Sequence, residues 1–152
     1  MTKKLLLASL IFLYSCAGYV PLFSEKTNFK FNSVELEGEE MLNEIILRNI
    51  ENLENKNSND IKFIDLKINT QKIKKIHSKD SKGDPNKYKI EIKTVLEIEF
   101  ENDINLKKNF FVSDIFDDFE SQFELNKYEK KTTKILTERL SEKIIVYLRT
   151  IE

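Results

Sequence analysis

Lys72, Lys74, Lys75, Lys79 and Lys82 crowd one predicted hairpin, with only Asp80 and Asp84 opposing them nearby. Ammonium groups gathered this way suit the phosphates of a lipid headgroup. They suit equally well a solvated hairpin tip in a lysine-rich chain. A second group, Lys127, Lys130, Lys131 and Lys134, falls near the start of the last predicted helix, where positive charge opposes the helix dipole. Exposed lysines tolerate that conflict at small cost, so it marks either an anion site or ordinary solvated charge. Catalysis has less to work with. His77 is the single histidine, it lies on the same basic hairpin, and no triad assembles around it. Asp114, Asp117 and Asp118 invite a metal reading, but their spacing does not fit an EF-hand loop and no central glycine is present. Gly18, Gly38 and Gly83 stand too far apart to build a phosphate-cradling loop. The expectation is a protein that is not an enzyme and uses no cofactor or metal.

Cys16 is the only cysteine, so no internal disulfide can form and stability must come from the core. Its surroundings point to a different use. Lys3 and Lys4 precede an apolar run from Leu5 to Phe12, well short of the about 20 apolar residues that a membrane-spanning helix needs. That layout is a cleaved secretory signal. Leu13, Ser15 and Cys16 resemble the lipobox of bacterial lipoproteins, while Tyr14 departs from the small residue usual two before the cysteine. The resemblance implies a diacylglycerol group on the Cys16 thiol and an N-acyl chain on the new amino terminus, and several acyl chains together give firm membrane anchoring. The alternative is a plain signal peptide cut elsewhere, leaving Cys16 as a free or discarded thiol. The expected division is residues 1–15 as leader, 16–26 as a lipidated tether interrupted by Pro21, and 27–152 as a single domain.

Over 152 residues, Lys and Arg number 25 and Asp and Glu 26, a balance that gives no sign of a nucleic-acid partner. Arg48, Arg139 and Arg149 are the only arginines, so positive charge is nearly all lysine, the weaker choice for planar bidentate recognition. Eleven Phe and five Tyr, with no Trp, supply the large buried areas that a small domain needs.

Periodicity supplies the elements that would position these groups. Thr27 to Glu37 alternates as a strand, with Phe29 and Phe31 on one side and Val34 and Leu36 on the other after a phase change near Asn32-Ser33, which reads as a bulge. Gly38 ends it and opens a helix in which Met41, Leu42, Ile45, Ile46, Ile50 and Leu53 make one apolar stripe. Ile64, Leu66 and Ile68 mark one face of a second strand, continued by Gln71 to Lys79 as an exposed ribbon that turns at Lys82 to Asn86. Ile90, Ile92, Thr94, Leu96 and Ile98 give a third strand with a buried and a wet face. Leu106 to Ile115 forms a fourth strand. Asp114 to Glu124 reads as an irregular connection pinned by Ile115, Phe116, Phe119 and Phe123. Asn126 and Glu129 look like a capping pair for a final helix lined by Tyr128, Thr132, Ile135, Leu136, Leu140, Ile144, Tyr147, Leu148 and Ile151. The predicted fold is α+β: a two-layer sandwich of order βαβββα, with two helices on one face of a four-stranded sheet.

Three stretches together resemble the LPS-assembly lipoprotein family LptE, especially its divergent alphaproteobacterial forms. Cys16-Ala17-Gly18-Tyr19-Val20-Pro21-Leu22-Phe23 is similar to that family's opening, with Ala17 as one inserted residue. Val34-Glu35-Leu36-Glu37-Gly38 resembles its first strand-to-helix junction, and Phe123-Glu124-Leu125-Asn126-Lys127-Tyr128-Glu129 resembles the run into its closing helix. The likeness covers nearly the whole mature chain in element order, though each motif is short. It implies a lipid-anchored protein on the periplasmic side of the outer membrane that plugs and helps assemble an LptD-like barrel and contacts lipopolysaccharide in transit to the cell surface. The hairpin lysines Lys72, Lys74, Lys75, Lys79 and Lys82 are then the lipopolysaccharide-binding candidates, with a shortage of arginine as the departure. The competing expectation is a lipid-binding auxiliary lipoprotein of an envelope ABC-type lipid transporter.

Overall fold

The computed structural model describes residues 27–53, 61–100 and 105–151; Cys16 and the tether to residue 26 lie outside them. Its elements run β1 (Phe29–Gly38), α1 (Glu40–Glu51), β2 (Lys62–Lys79), β3 (Pro85–Phe100), β4 (Asn105–Asp117) and α2 (Gln122–Thr150). The strands form one mixed sheet in chain order, β1 parallel to β2 and the rest antiparallel. Helix α1 packs on β1 and β2, helix α2 on β3 and β4, and the helices pack on each other. This is the α+β sandwich that the periodicity predicts, with βα, then three strands, then α.

The sheet has two unlike halves because β1 is short. Its register with β2 ends at Gly38↔Thr70, so β2 continues beyond it paired only with β3. Gly38 makes that stop. It adopts φ +85°, and a Cβ there would run into the Thr70 carbonyl. The Glu39 N–H then donates to the Thr70 carbonyl at 2.8 Å, and Asn43 Nδ2 in the first turn of α1 donates to the Glu37 carbonyl at 2.6 Å. These bonds hold the chain where it leaves the sheet.

In the four-stranded half, the helix-facing rows are Phe31↔Ile64↔Phe100, Val34↔Leu66↔Ile98↔Leu106 and Leu36↔Ile68↔Leu96↔Lys108. The bulge does lie at Asn32, between Phe31 and Ser33. Its effect corrects the expected facing of β1: one extra residue restores the phase, so Phe29, Phe31, Val34 and Leu36 share the helix side instead of dividing between two sides. Ile46 and Ile50 of α1 and Leu136, Leu140, Ile144 and Leu148 of α2 close this core. Met41, placed on the α1 stripe by periodicity, is 73% exposed.

In the three-stranded half, Gln71 to Lys79 is the mostly exposed ribbon expected, paired with β3 up to Lys79↔Pro85. It is the edge of a sheet that β4 extends to Lys87↔Asp117, covered by the first turns of α2. Strand β4 takes over the start of the expected irregular connection, to Asp117, and α2 its end, from Gln122; Phe116 is buried and Phe119 packs on the core, whereas Phe123 is 72% exposed and pins nothing. Tyr88, Phe116, Tyr128 and Phe119 contact one another in that order at centroid separations of 5.2 to 6.0 Å. The helix begins at Gln122, so Asn126 and Glu129 are not its capping pair; Asn126 accepts a hydrogen bond from Gln122 within the first turns.

Candidate functional site: two faces of a charged sheet

The five hairpin lysines do not converge. Lys72 and Lys74 share register with Ile92 and Ile90 and so lie on the helix side, whereas Lys75 shares register with Lys89 on the open side. Lys72 and Lys74 both reach Glu129 of α2, at 3.1 and 2.7 Å, and Lys74 also sits 4.7 Å over the Tyr88 ring. Burial alone would raise the Glu129 carboxyl, but hydrogen bonds from Lys74 and Lys72 outweigh it and hold the group below its usual value of 4.5. Lys79 and Lys82 form no ion pair among the described residues. The second lysine group begins one turn into α2, beyond the first-turn N–H groups, so its conflict with the dipole is slight. Lys134 lies 3.9 Å from Glu138 on the same helix.

The open face is ordered by cross-strand register. One row reads Glu35↔Lys67↔Glu97↔Lys107, opposite charges alternating across all four strands. Lys67 pairs with Glu35 at 3.3 Å and Glu37 at 2.6 Å, and Lys107 pairs with Glu97. The next row, Ser33↔Asp65↔Glu99↔Asn105, has Asp65 accepting from Ser33 and Asn32, which lowers its carboxyl below the ordinary 3.8. Together these rows line a trough of about 650 Å³.

Farther along the same face the pattern changes. Glu91 stands on the side expected to be wet, yet it is only 7% exposed. Lys75 and Lys89 each reach its carboxylate at 2.8 Å, and those hydrogen bonds lower it from 4.5 to about 2. The half-exposed Phe111 and Ile115 share this face with Lys89, which lies 5.9 Å from the Phe111 ring centroid. Sequence reasoning passed over Glu91 and mistook Glu129 for a cap. For Glu91 a signal existed: one acid between Lys89 and Lys93, across a hairpin from Lys75. For Glu129 none did, since its partners lie more than fifty positions away.

His77 and the acids Asp114, Asp117 and Asp118 do not come together with other ligand groups; among the described residues no three His, Cys, Asp or Glu side chains gather in a way that would hold a metal. Asp117 instead pairs with Lys87 at 3.0 Å. Among the described residues no helix is long and apolar enough to cross a membrane. The arrangement offers recognition by charge and shape.

No family profile and no curated protein matches the sequence. Solved structures do match. Rare lipoprotein B from Shewanella oneidensis superposes with a TM-score of 0.61 at 11% identity, covering 79% of this chain and 96% of that one. The chain shares its fold with bacterial lipoproteins. A lipoprotein B from Nitrosomonas europaea gives a TM-score of 0.61 at 13% identity, over 84% of this chain and 86% of that one. A minor lipoprotein from Acinetobacter baumannii gives 0.58 at 15% identity, over 79% and 90%. The likeness lies in the fold, at 11 to 15% sequence identity.

Proposed function

We propose that this protein is an outer-membrane lipoprotein, held on the periplasmic side by acyl chains on Cys16, that plugs and helps assemble an LptD-like barrel and takes part in lipopolysaccharide transport without catalysing a reaction. The observation that carries the reading is the shared fold with bacterial lipoproteins over 79 to 84% of the chain. It is independent of the leader and lipobox pattern that ends at Cys16, and the two agree. The open sheet face adds physical support. Its rows of alternating charge keep much of the four-stranded half of that face polar, as a protein seated in a wet barrel lumen requires. Lys72, Lys74 and Lys75 are engaged with carboxylates of the same chain. Contact with lipopolysaccharide phosphate therefore falls first to Lys79 and Lys82.

The reading is tested by crosslinking in living cells followed by purification in mild detergent. The expected product is a large outer-membrane barrel bound to this chain. Recovery of inner-membrane transporter subunits with bound phospholipid, and no barrel, would replace it with the auxiliary role in an envelope lipid transporter.

A further inference from the structure

The edge of β2 beyond the end of β1 has the properties of a strand-acceptor site. Lys62 N–H donates to the Asn28 carbonyl, and the Thr70 carbonyl accepts from Glu39 N–H, so the even-numbered residues of β2 direct their backbone groups away from β3. The β2–β3 register has no irregularity before Ile76, so the same alternation carries through to Lys72, Lys74 and Ile76. Past Gly38↔Thr70 no described strand pairs with β2 on that side. Three successive outward N–H and C=O sets thus line an open edge in continuation of β1.

Among the described residues no segment fills this edge, and on the reading that the mature chain starts at Cys16 the tether is too short to do so. Strand β1 begins, β2 begins, β3 ends and α2 ends at the opposite end of the sandwich, so residues 54–60 and 101–104 join element ends there. In a mature chain that starts at Cys16, residues 17–26 reach at most about 35 Å. Strand β1 alone spans about 33 Å, so the tether is used up before it could run alongside Lys72 to Ile76.

Lysines on an edge usually repel intruding strands. Here they are drawn off it. Glu129 holds Lys72 and Lys74 against the helix layer, and Glu91 holds Lys75 against the open face. What remains beside the edge is Ile76, 48% exposed, and a hairpin whose lysines outnumber its acids. We propose that Gln71 to Lys79 accepts an extended acidic segment of a partner protein as an added strand, its backbone bonding Lys72, Lys74 and Ile76 and its carboxylates meeting Lys79 and Lys82, the hairpin lysines whose ammonium groups no carboxylate of the described residues engages. A second copy of this chain would bring the same positive edge and is disfavoured. The proposal is independent of which envelope machine the protein serves.

The test uses the full chain as isolated from cells in mild detergent, with amide hydrogen exchange read by residue. The probe is a short capped peptide alternating glutamate with threonine, and its counterpart with lysine in place of glutamate. The acidic peptide should slow exchange at Lys72, Lys74 and Ile76 by about tenfold, as an amide entering a ladder does; the basic peptide should not. Lys74→Pro removes one outward N–H at a position where an edge strand tolerates proline, and should abolish the protection. Lys74→Ala should keep most of it, and serves by itself if the proline variant does not fold. Equal protection by both peptides, no protection by either, or protection without peptide that grows with protein concentration would each overturn the proposal.

Discussion

The four-stranded and three-stranded halves of the sheet follow opposite rules. Where β1 is present, helix-facing rows are apolar, open-face rows are charged, and two helices cover the core. Beyond Gly38 the charges cross over. Lys72 and Lys74 lie on the helix side with Glu129, while half-exposed Phe111 and Ile115 lie on the open side around the shielded Glu91. Thr70 and Thr94, hydrogen-bonded hydroxyl to hydroxyl at 2.8 Å, sit in the core where one half gives way to the other. The difference shows that the first half separates an apolar core from a charged face, whereas the second mixes ions and aromatics on both faces.

The sharpest test of that contrast is truncation. Leu96→Ala in the four-stranded half should cost about 2–5 kcal/mol in urea unfolding, while Ile76→Ala on the open edge should stay within about 0.5 kcal/mol. Comparable losses would erase the distinction. Gly38→Ala probes the boundary itself. With φ at +85° and the Thr70 carbonyl in the way, it should destabilise by more than about 1 kcal/mol.

The remaining tests concern the ions of the three-stranded half. Glu129 and Lys74 should show a coupling of about 1 kcal/mol or less in a double-mutant cycle, the range of partly exposed pairs. Glu91 gives a pH signature. Its carboxyl is lowered in the folded state from 4.5 to about 2, so the stabilisation it contributes is full above the unfolded value and is lost as pH falls between those limits. Glu91→Gln should flatten the acid limb of the stability profile, and an unchanged limb would mean that its lysine partners are loosely held. Smallest of all, removing the exposed Glu97–Lys107 pair should change stability by no more than about 0.5 kcal/mol.

The same contrast explains what the sequence made legible. In the four-stranded half each strand has one apolar and one polar face, so the alternation of Ile64, Leu66 and Ile68, or of Leu96 and Ile98, reads directly as burial. The bulge near Asn32 was visible as a phase change, but not its effect, because facing depends on register with β2. In the three-stranded half the signals mislead. Lys72 and Lys74 look solvated until α2 brings Glu129 over them, and Gln71 to Lys79 reads as the exposed ribbon it mostly is without showing that β4 extends the sheet to Asp117. Asn126 and Glu129 have the spacing of a cap, yet the preceding Gln122 to Leu125 already continue the helix. These features are set by contacts between distant elements, which local periodicity does not encode. Among the candidate site residues, Cys16 lies outside the described residues, and the hairpin lysines were legible as a cluster but not as one divided between two faces.

Fatty acylation is where the account is most exposed. Cells producing the chain and its Cys16→Ser variant would be labelled with a palmitate analogue and fractionated. The account predicts label on the parent chain, sedimentation with outer membranes, and loss of both in the variant. An unlabelled parent chain recovered in the soluble fraction would contradict it.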